Sequence, residues 1–211
     1  MNEQEVLKIL VDVGAIITDS HIVYTSGKHG SAYVNKDAVY PHTKLISMLC
    51  REIAMTFPIL EGWVDVVVGP AIGGVVLSQR VAEHLSQMQG NEVMSVYAEK
   101  DDGGFVIKRG YDKLVAGKQV LVVEDVLTTG GSARDVVRAV KELSGIVVGV
   151  GVLCNRGGIT KEDMGVRRLK ALVNIRLQVW DEKDCPLCAQ DVPINTDVGK
   201  GREFLARKQL S

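Results

Sequence analysis

Two adjacent carboxylates, Glu124 and Asp125, follow four apolar residues, Val120, Leu121, Val122 and Val123, and precede Val126, Leu127 and the run Thr128, Thr129, Gly130, Gly131, Ser132. An apolar strand, a Thr/Gly/Ser turn and a helix marked by Ala133, Val136, Val137, Val140 and Leu143 at three-to-four spacing form a unit suited to binding an anion. At a helix N-terminus the first backbone N–H groups lack intrahelical partners and the dipole is positive, so a phosphate there collects several charge-assisted hydrogen bonds. Glycine lets the backbone come close, and the hydroxyls of Thr128, Thr129 and Ser132 add donors. Carboxylates repel phosphate but accept hydrogen bonds from sugar hydroxyls, which gives Glu124 and Asp125 a different target. A phosphate on one side and a diol on the other describe a ribose 5-phosphate.

Residues 120–132 resemble, at every position, the ribose-phosphate signature of the type I phosphoribosyltransferases. An ordinary buried strand with an N-cap would account for Val120 to Val123 and for Ser132, but not for the paired acids and paired glycines. The resemblance implies that Glu124, Asp125, Val126, Leu127, Thr128, Thr129, Gly130, Gly131 and Ser132 bind phosphoribosyl pyrophosphate. It gives Glu124 and Asp125 a catalytic part as well, holding the ribose diol.

The elements that must position this loop are those of one soluble globular domain. The 211 residues suffice for a substantial single core, and 46% hydrophobic with 24% charged residues is ordinary for that class. A net charge of −1 supplies no basic field for nucleic acid or an anionic membrane. No apolar run approaches the roughly 18 residues of a membrane span, and the acidic N-terminus has no apolar leader, so a cytoplasmic protein is expected.

From the N-terminus, Asn2 and Glu5 form a variant capping box ahead of a helix striped by Val6, Ile9, Leu10 and Val13. Residues 21–37 read as a hairpin around Ser26, Gly27, Lys28, His29 and Gly30. Taken alone this is a surface hairpin with a basic tip. It is also similar to the N-terminal hood of orotate phosphoribosyltransferases, on the match of Ser26, Gly27, Lys28, Tyr33 and Asn35, with Thr25 where many members carry Lys. Residues 42–56 read as a helix through Leu45, Leu49 and Ile53, ended by Pro58.

Residues 64–68 read as a strand buried on both faces, ending in Gly69, Pro70, Ala71, Ile72, Gly73 and Gly74 before a helix through Leu77, Val81 and Leu85. Any tight strand-to-helix turn can use glycine. In the resembling family this turn meets pyrophosphate, which implicates Ala71, Ile72 and Gly73, with Gly73 standing where relatives often have Lys. After a strand over 93–97, the charged, glycine-containing residues 98–104 should be a mobile loop between two strands of a hairpin or flap, with Phe105 to Gly110 following it. The resemblance makes Lys100 the loop residue that closes on pyrophosphate. Glu99 stands where the enteric pattern has an Arg, its later basic residues have no counterpart in register, and Lys108 and Arg109 are only candidate substitutes for them.

Residues 146–153 read as a Gly-interrupted strand leading to Cys154, Asn155, Arg156, Gly157 and Gly158, and residues 169–179 as the last strand. Arg156 is either a solvated cap or, as the resemblance implies, the partner of a base carboxylate, for which a guanidinium fork is suited. Orotate contacts are accordingly expected at Thr128, Arg156, Ser26, Gly27 and Lys28. Residues 181–211 look like a polar surface tail.

Cys50 and Cys154, in apolar surroundings, read as core residues. Cys185 and Cys188 form a Cys-Pro-Leu-Cys pair that could be half of a zinc site or a redox pair. The four histidines, His21, His29, His42 and His84, lie in the N-terminal half, remote in sequence from that pair. Similar tails occur in the resembling family.

The alternation of strands and helices gives an α/β fold with a parallel central sheet flanked by helices, plus the hood and the β-flap loop, in a single domain over 1–211. The hood would come from about residues 1–40. The resemblance implies orotate phosphoribosyltransferase activity in pyrimidine biosynthesis, with orotate and phosphoribosyl pyrophosphate as substrates. Mg²⁺ would be held through substrate and water, with no protein side chain as direct ligand. The implied assembly is a homodimer with shared active sites. Alternatives are transfer to another nucleobase, or a non-catalytic sensor of phosphoribosyl pyrophosphate.

Overall fold

The computed structural model describes residues 1–57 and 63–209. The chain begins with α1 (Glu3–Asp12), β1 (Ile16–Ile17), β2 (Ile22–Val23), β3 (His29–Gly30) and β4 (Tyr33–Val34). It continues through α2 (Thr43–Met55), β5 (Val66–Pro70), α3 (Gly73–Gln89), β6 (Met94–Asp101) and β7 (Gly104–Val106). Next come α4 (Asp112–Val115), β8 (Gln119–Leu127), α5 (Gly131–Glu142), β9 (Ile146–Asn155) and α6 (Lys161–Met164). The chain closes with β10 (Leu169–Asn174), β11 (Val179–Trp180), α7 (Pro186–Ala189) and α8 (Gly201–Gln209). Pro58, the expected helix stop after α2, lies outside the described residues.

Contacts divide the chain into two units, one of Met1–Val6 with His42–Ile175 and the other of Leu7–Pro41 with Arg176–Ser211. The first holds a six-stranded sheet in the order β10-β9-β8-β5-β6-β7. Its four pairings from β10 to β6 are parallel where the chain crosses through helices, and β7 is antiparallel on β6, so the expected parallel sheet is mixed at one edge. β8 is central and shielded on both faces: Val120, Leu121, Val122 and Val123 are all 0% exposed. Fully burying each such side chain stabilises by about 1.5–3 kcal/mol, which explains why this strand reads as an unbroken apolar run. On one side Val120, Val122, Val150 and Val152 pack with Ala133, Val136, Val137 and Val140 of α5.

The glycines that interrupt β9 make room for α2. A methyl group at Gly149 would press on the Phe57 ring, and one at Gly151 on Ile53 Cγ2, 2.6 Å away. Both contacts are closer than real carbons approach, so the sequence gives up side chains there to bring the helix down onto the sheet.

In the second unit β2 pairs antiparallel with β3, as the hairpin reading expects, and β11 adds to the other side of β3. β4 instead pairs with β1, Tyr33 opposite Ile17. The expected last strand over 169–179 therefore breaks: Leu169–Asn174 stays in the large sheet and Val179–Trp180 joins the hairpin. Residues expected as a surface tail share this unit with the N-terminal hairpin, Asn195 N–H donating to His21 O at 2.8 Å and Lys200 N–H to Val23 O at 2.7 Å. Among the described residues no helix is long and apolar enough to cross a membrane.

Candidate active site

β8 runs through the two acids rather than ending before them, with Glu124 opposite Val152 and Val126 opposite Cys154 on β9. Glu124 and Asp125 are 7% and 4% exposed at the strand's C-terminal end, where β8 runs on beside β9 beyond its pairing with β5. Asp125 N–H donates to Glu124 Oε1 at 3.1 Å, and Val126 N–H donates to Asp125 Oδ1 at 2.7 Å. These bonds orient the carboxylates through their own backbone.

The turn that follows requires glycine at one point: Gly130 has φ 72°, the left-handed region, and its missing side chain leaves Ile159 and Met164 in place. Gly130 is also the N-cap residue of α5, so no side chain of the cap closes the helix N-terminus, and no acid stands in its first turn. Gly131 N–H reaches Thr129 Oγ1 at 3.4 Å. The result is an open helix start with hydroxyls beside it, the arrangement that accepts a phosphate.

Arg156 comes from the end of the next strand. Its backbone N–H and that of Gly157 both donate to Leu127 O, at 2.9 and 3.0 Å, and its Nε donates to Thr128 Oγ1 at 2.8 Å. A Cβ on Gly157 would overlap the Thr128 carbonyl, so glycine is what lets the two loops close up. Asn155, 6% exposed, fastens the second loop from beneath: its Nδ2 donates to Ile159 O at 2.8 Å and its Oδ1 accepts from Ile159 N–H at 3.1 Å. Asn155 carries no motif of its own in the sequence, and the only local signal for this role is the general habit of Asn side chains to bond nearby backbone in turns. Burial pushes the neighbouring Cys154 thiol up to about 11, leaving it a neutral core group.

The turn at Ala71, Ile72 and Gly73 leaves β5, which pairs directly with β8 through Val66 and Val120, Val67 and Leu121, and Val68 and Val122. Both turns therefore leave the same sheet edge from neighbouring strands. Gly69 and Gly74 approach so closely that a side chain on either would strike the other's backbone. Ala71 N–H is tied to Ala98 O at 2.8 Å, and Ile72 is 86% exposed. The Ala71–Ile72 peptide is cis.

Lys100 does not lie in a loop. It is an exposed residue of β6, paired with Phe105 of β7, and only Asp102 and Gly103 remain as the turn between the strands. Pro70 pairs with Ala98, two residues before Lys100, which brings the hairpin up from the strand beside the Ala71 turn. Arg138 of α5 donates to Gly103 O at 2.9 Å. The possible substitutes Lys108 and Arg109 are engaged inside the hairpin, Lys108 with Asp101 at 2.6 Å and Arg109 with Glu99 at 2.7 Å. Those hydrogen bonds lower the Asp101 and Glu99 carboxyls below their ordinary range and raise Lys108 and Arg109.

Ser26, Gly27 and Lys28 belong to the second unit. There Gly27 has φ 79° and closes the turn by donating to Tyr24 O at 2.9 Å, and Lys28 pairs with Asp181 at 3.2 Å.

The sequence model described as the phosphoribosyl transferase domain matches residues 37–184. The orotate phosphoribosyltransferase of Desulforamulus reducens is 39% identical over 193 residues, 92% of this chain and 95% of that one. The chain belongs to the orotate phosphoribosyltransferase family. Among solved structures, the orotate phosphoribosyltransferase of Mycobacterium tuberculosis in complex with Fe(III) dicitrate has TM-score 0.64 at 22% identity, covering 82% of this chain and 95% of that one. The same enzyme in complex with 5-phospho-alpha-D-ribosyl 1-diphosphate has TM-score 0.58 at 23% identity, covering 82% and 96%. At these identities the structures show the shared fold.

Proposed function

We propose that this chain transfers the ribose 5-phosphate group of phosphoribosyl pyrophosphate to orotate, giving orotidine 5′-monophosphate and pyrophosphate, a step of pyrimidine biosynthesis. The observation that carries the reading is the end of β8: two buried acids, an open helix N-terminus and an arginine hydrogen-bonded to the same loop. Each part matches one piece of chemistry. The start of α5, with Thr128, Thr129 and Ser132, takes the 5′-phosphate. Glu124 and Asp125 accept hydrogen bonds from the ribose diol and favour the positive charge that develops on the ring as the C1–O bond breaks and the bond to the base nitrogen forms. The Ala71 turn and Lys100 face the departing pyrophosphate from the two neighbouring strands.

Arg156 supplies the base preference, since its remaining guanidinium N–H groups suit a carboxylate that uracil and the purines lack. By the resemblance, Ser26, Gly27 and Lys28 also serve the base. The oxygen-only donors at this strand end, Glu124, Asp125 and Thr128, fit a hard cation, so Mg²⁺ would be received there through water and substrate oxygens; when bound it neutralises charge on the leaving pyrophosphate. We place the reaction in the cytoplasm, in keeping with four free cysteines, and in a homodimer with shared active sites, as the family resemblance implies. Pyrophosphate release with orotate, compared with uracil and adenine, tests the reading.

A further inference from the structure

Four side chains that the phosphoribosyl-transfer reading leaves unused converge inside the second unit. His21, just before β2, and His29 of β3 meet Cys185 and Cys188 of the Cys-Pro-Leu-Cys segment, which lie more than 150 residues later in the chain. Taken as a sequence, Cys185 and Cys188 have no histidine near them; in the fold they have two. One ligand atom from each of the four lies within 4.8 Å of all the others. His21 Nε2 is 3.6 Å from both sulfurs and 2.8 Å from His29 Nδ1, which is 3.3 Å from Cys188 Sγ.

We propose that His21, His29, Cys185 and Cys188 form a structural zinc site that fastens the C-terminal segment to the N-terminal hairpin. Around a tetrahedral zinc with Zn–S of ~2.3 Å and Zn–N of ~2.0–2.1 Å, a sulfur and a nitrogen stand ~3.5 Å apart. The three sulfur-nitrogen separations of 3.6, 3.6 and 3.3 Å are close to those of a tetrahedral shell, and the two nitrogens, 2.8 Å apart, would part as a metal enters. Two thiolates and two neutral imidazoles are also the donor set of closed zinc sites, and they cancel the ion's charge, which burial demands.

The surroundings select the right nitrogens. His21 Nδ1 lies 2.7 Å from Val192 O, a partner that only an N–H satisfies, so the Nε2 lone pair points into the cluster. A backbone carbonyl holding the far nitrogen of a histidine is the usual support of a metal ligand. His29 turns Nδ1 to the cluster, while its buried Nε2 has no hydrogen-bond partner among the described residues. His21, His29 and Cys185 are 1%, 0% and 2% exposed, so solvent does not account for these polar groups.

A disulfide between Cys185 and Cys188 would use the sulfurs but would not account for two buried imidazole nitrogens turned toward them. A metal also answers a need of this unit. Its strands β2, β3 and β11 are two residues each, and so small a sheet buries little apolar area, the circumstance in which metals or cross-links supply stability. All four positions of the shell are filled by protein, so the site is closed and its role is architectural.

The test uses the full-length chain, expressed without a histidine tag, reduced and dialysed, with metal content measured by mass spectrometry. One zinc per chain is expected, and a Cys185→Ser, Cys188→Ser variant should lose it. Because that variant could fold poorly, wild-type protein stripped by a chelator is titrated with Co²⁺. A thiolate-to-cobalt charge-transfer band with tetrahedral visible absorption, saturating at one equivalent and abolished by Zn²⁺, supports the site. Zinc far below one per chain together with no such band in the reduced protein, or thiol titration finding Cys185 and Cys188 joined as a disulfide in metal-free protein, overturns it.

Discussion

Arg156 Nε donates to Thr128 Oγ1 at 2.8 Å, joining the end of β9 to the first residue of the phosphate loop on β8. The contact ties the group we assign to the base to the loop we assign to the sugar phosphate, so the two substrates would be read by one mechanical unit. Thr128→Val keeps the shape and removes the acceptor. Loss of a hydrogen bond to a charged group costs about 1.5–3 kcal/mol, so kcat/KM for orotate should fall roughly ten- to a hundredfold, with Thr128→Ser close to wild type. Equal activity of the Val and Ser variants would remove the contact from the account.

Arg156→Ala should weaken orotate selectively. Arg156 is half-buried, and loss of a hydrogen bond between charged groups costs about 1.5–3 kcal/mol, so orotate affinity should drop roughly ten- to a hundredfold while phosphoribosyl pyrophosphate affinity changes little. Separate calorimetric titrations check this, and equal weakening of both ligands would reassign Arg156 to the phosphate.

Asp125→Asn should fold normally, because its backbone partner Val126 N–H can still be met by the amide oxygen. The lost charge beside the ribosyl cation should lower kcat about a hundred- to a thousandfold. Circular dichroism and steady-state rates together decide it.

Lys100→Ala should lower kcat by about a hundredfold if its ammonium meets the departing pyrophosphate. Lys108→Ala and Arg109→Ala should have much smaller effects, since both cations are already occupied by Asp101 and Glu99. The reverse ranking in parallel rate measurements would move the catalytic cation down the hairpin.

The buried thiols give a pH dependence. Burial pushes Cys50 up to about 12 and Cys154 up to about 11, from an ordinary 9.0. Between those values the unfolded chain gives up protons that the folded chain retains, so their contribution is fully present below about pH 9 and is lost as pH rises toward 11–12. Denaturant unfolding from pH 8 to pH 10.5 should show a stability decline that is shallower in a Cys50→Ala, Cys154→Ala variant, by up to about 1.4 kcal/mol per pH unit for each thiol.

What the sequence disclosed and what it hid follow from separation along the chain. The β8 loop was legible because its strand, acids, turn and helix are contiguous, each fixed by local chemistry. The end of β8 was less so: Glu124 and Asp125 look like a stop, yet pairing with Val152 and Cys154 across β9 keeps the strand going to Leu127. The hairpin around Lys100 was legible, but charge and glycine hid how far its strands run, since they argue against burial and not against exposed pairing to Asp101 and Gly104. Residues 169–179 read as one strand, and no local signal marks the change of partner from β9 to β3. The least legible feature was the group at Cys185 and Cys188, whose neighbour His21 lies 164 residues from the first and 167 from the second.

The most direct measurement is pyrophosphate release from phosphoribosyl pyrophosphate with each base in turn, using purified protein and Mg²⁺. The account predicts rapid release with orotate, none above background with uracil or adenine, and loss of the orotate reaction in Asp125→Asn. Release with uracil or adenine in preference to orotate, or no release with any base from folded protein, would contradict it.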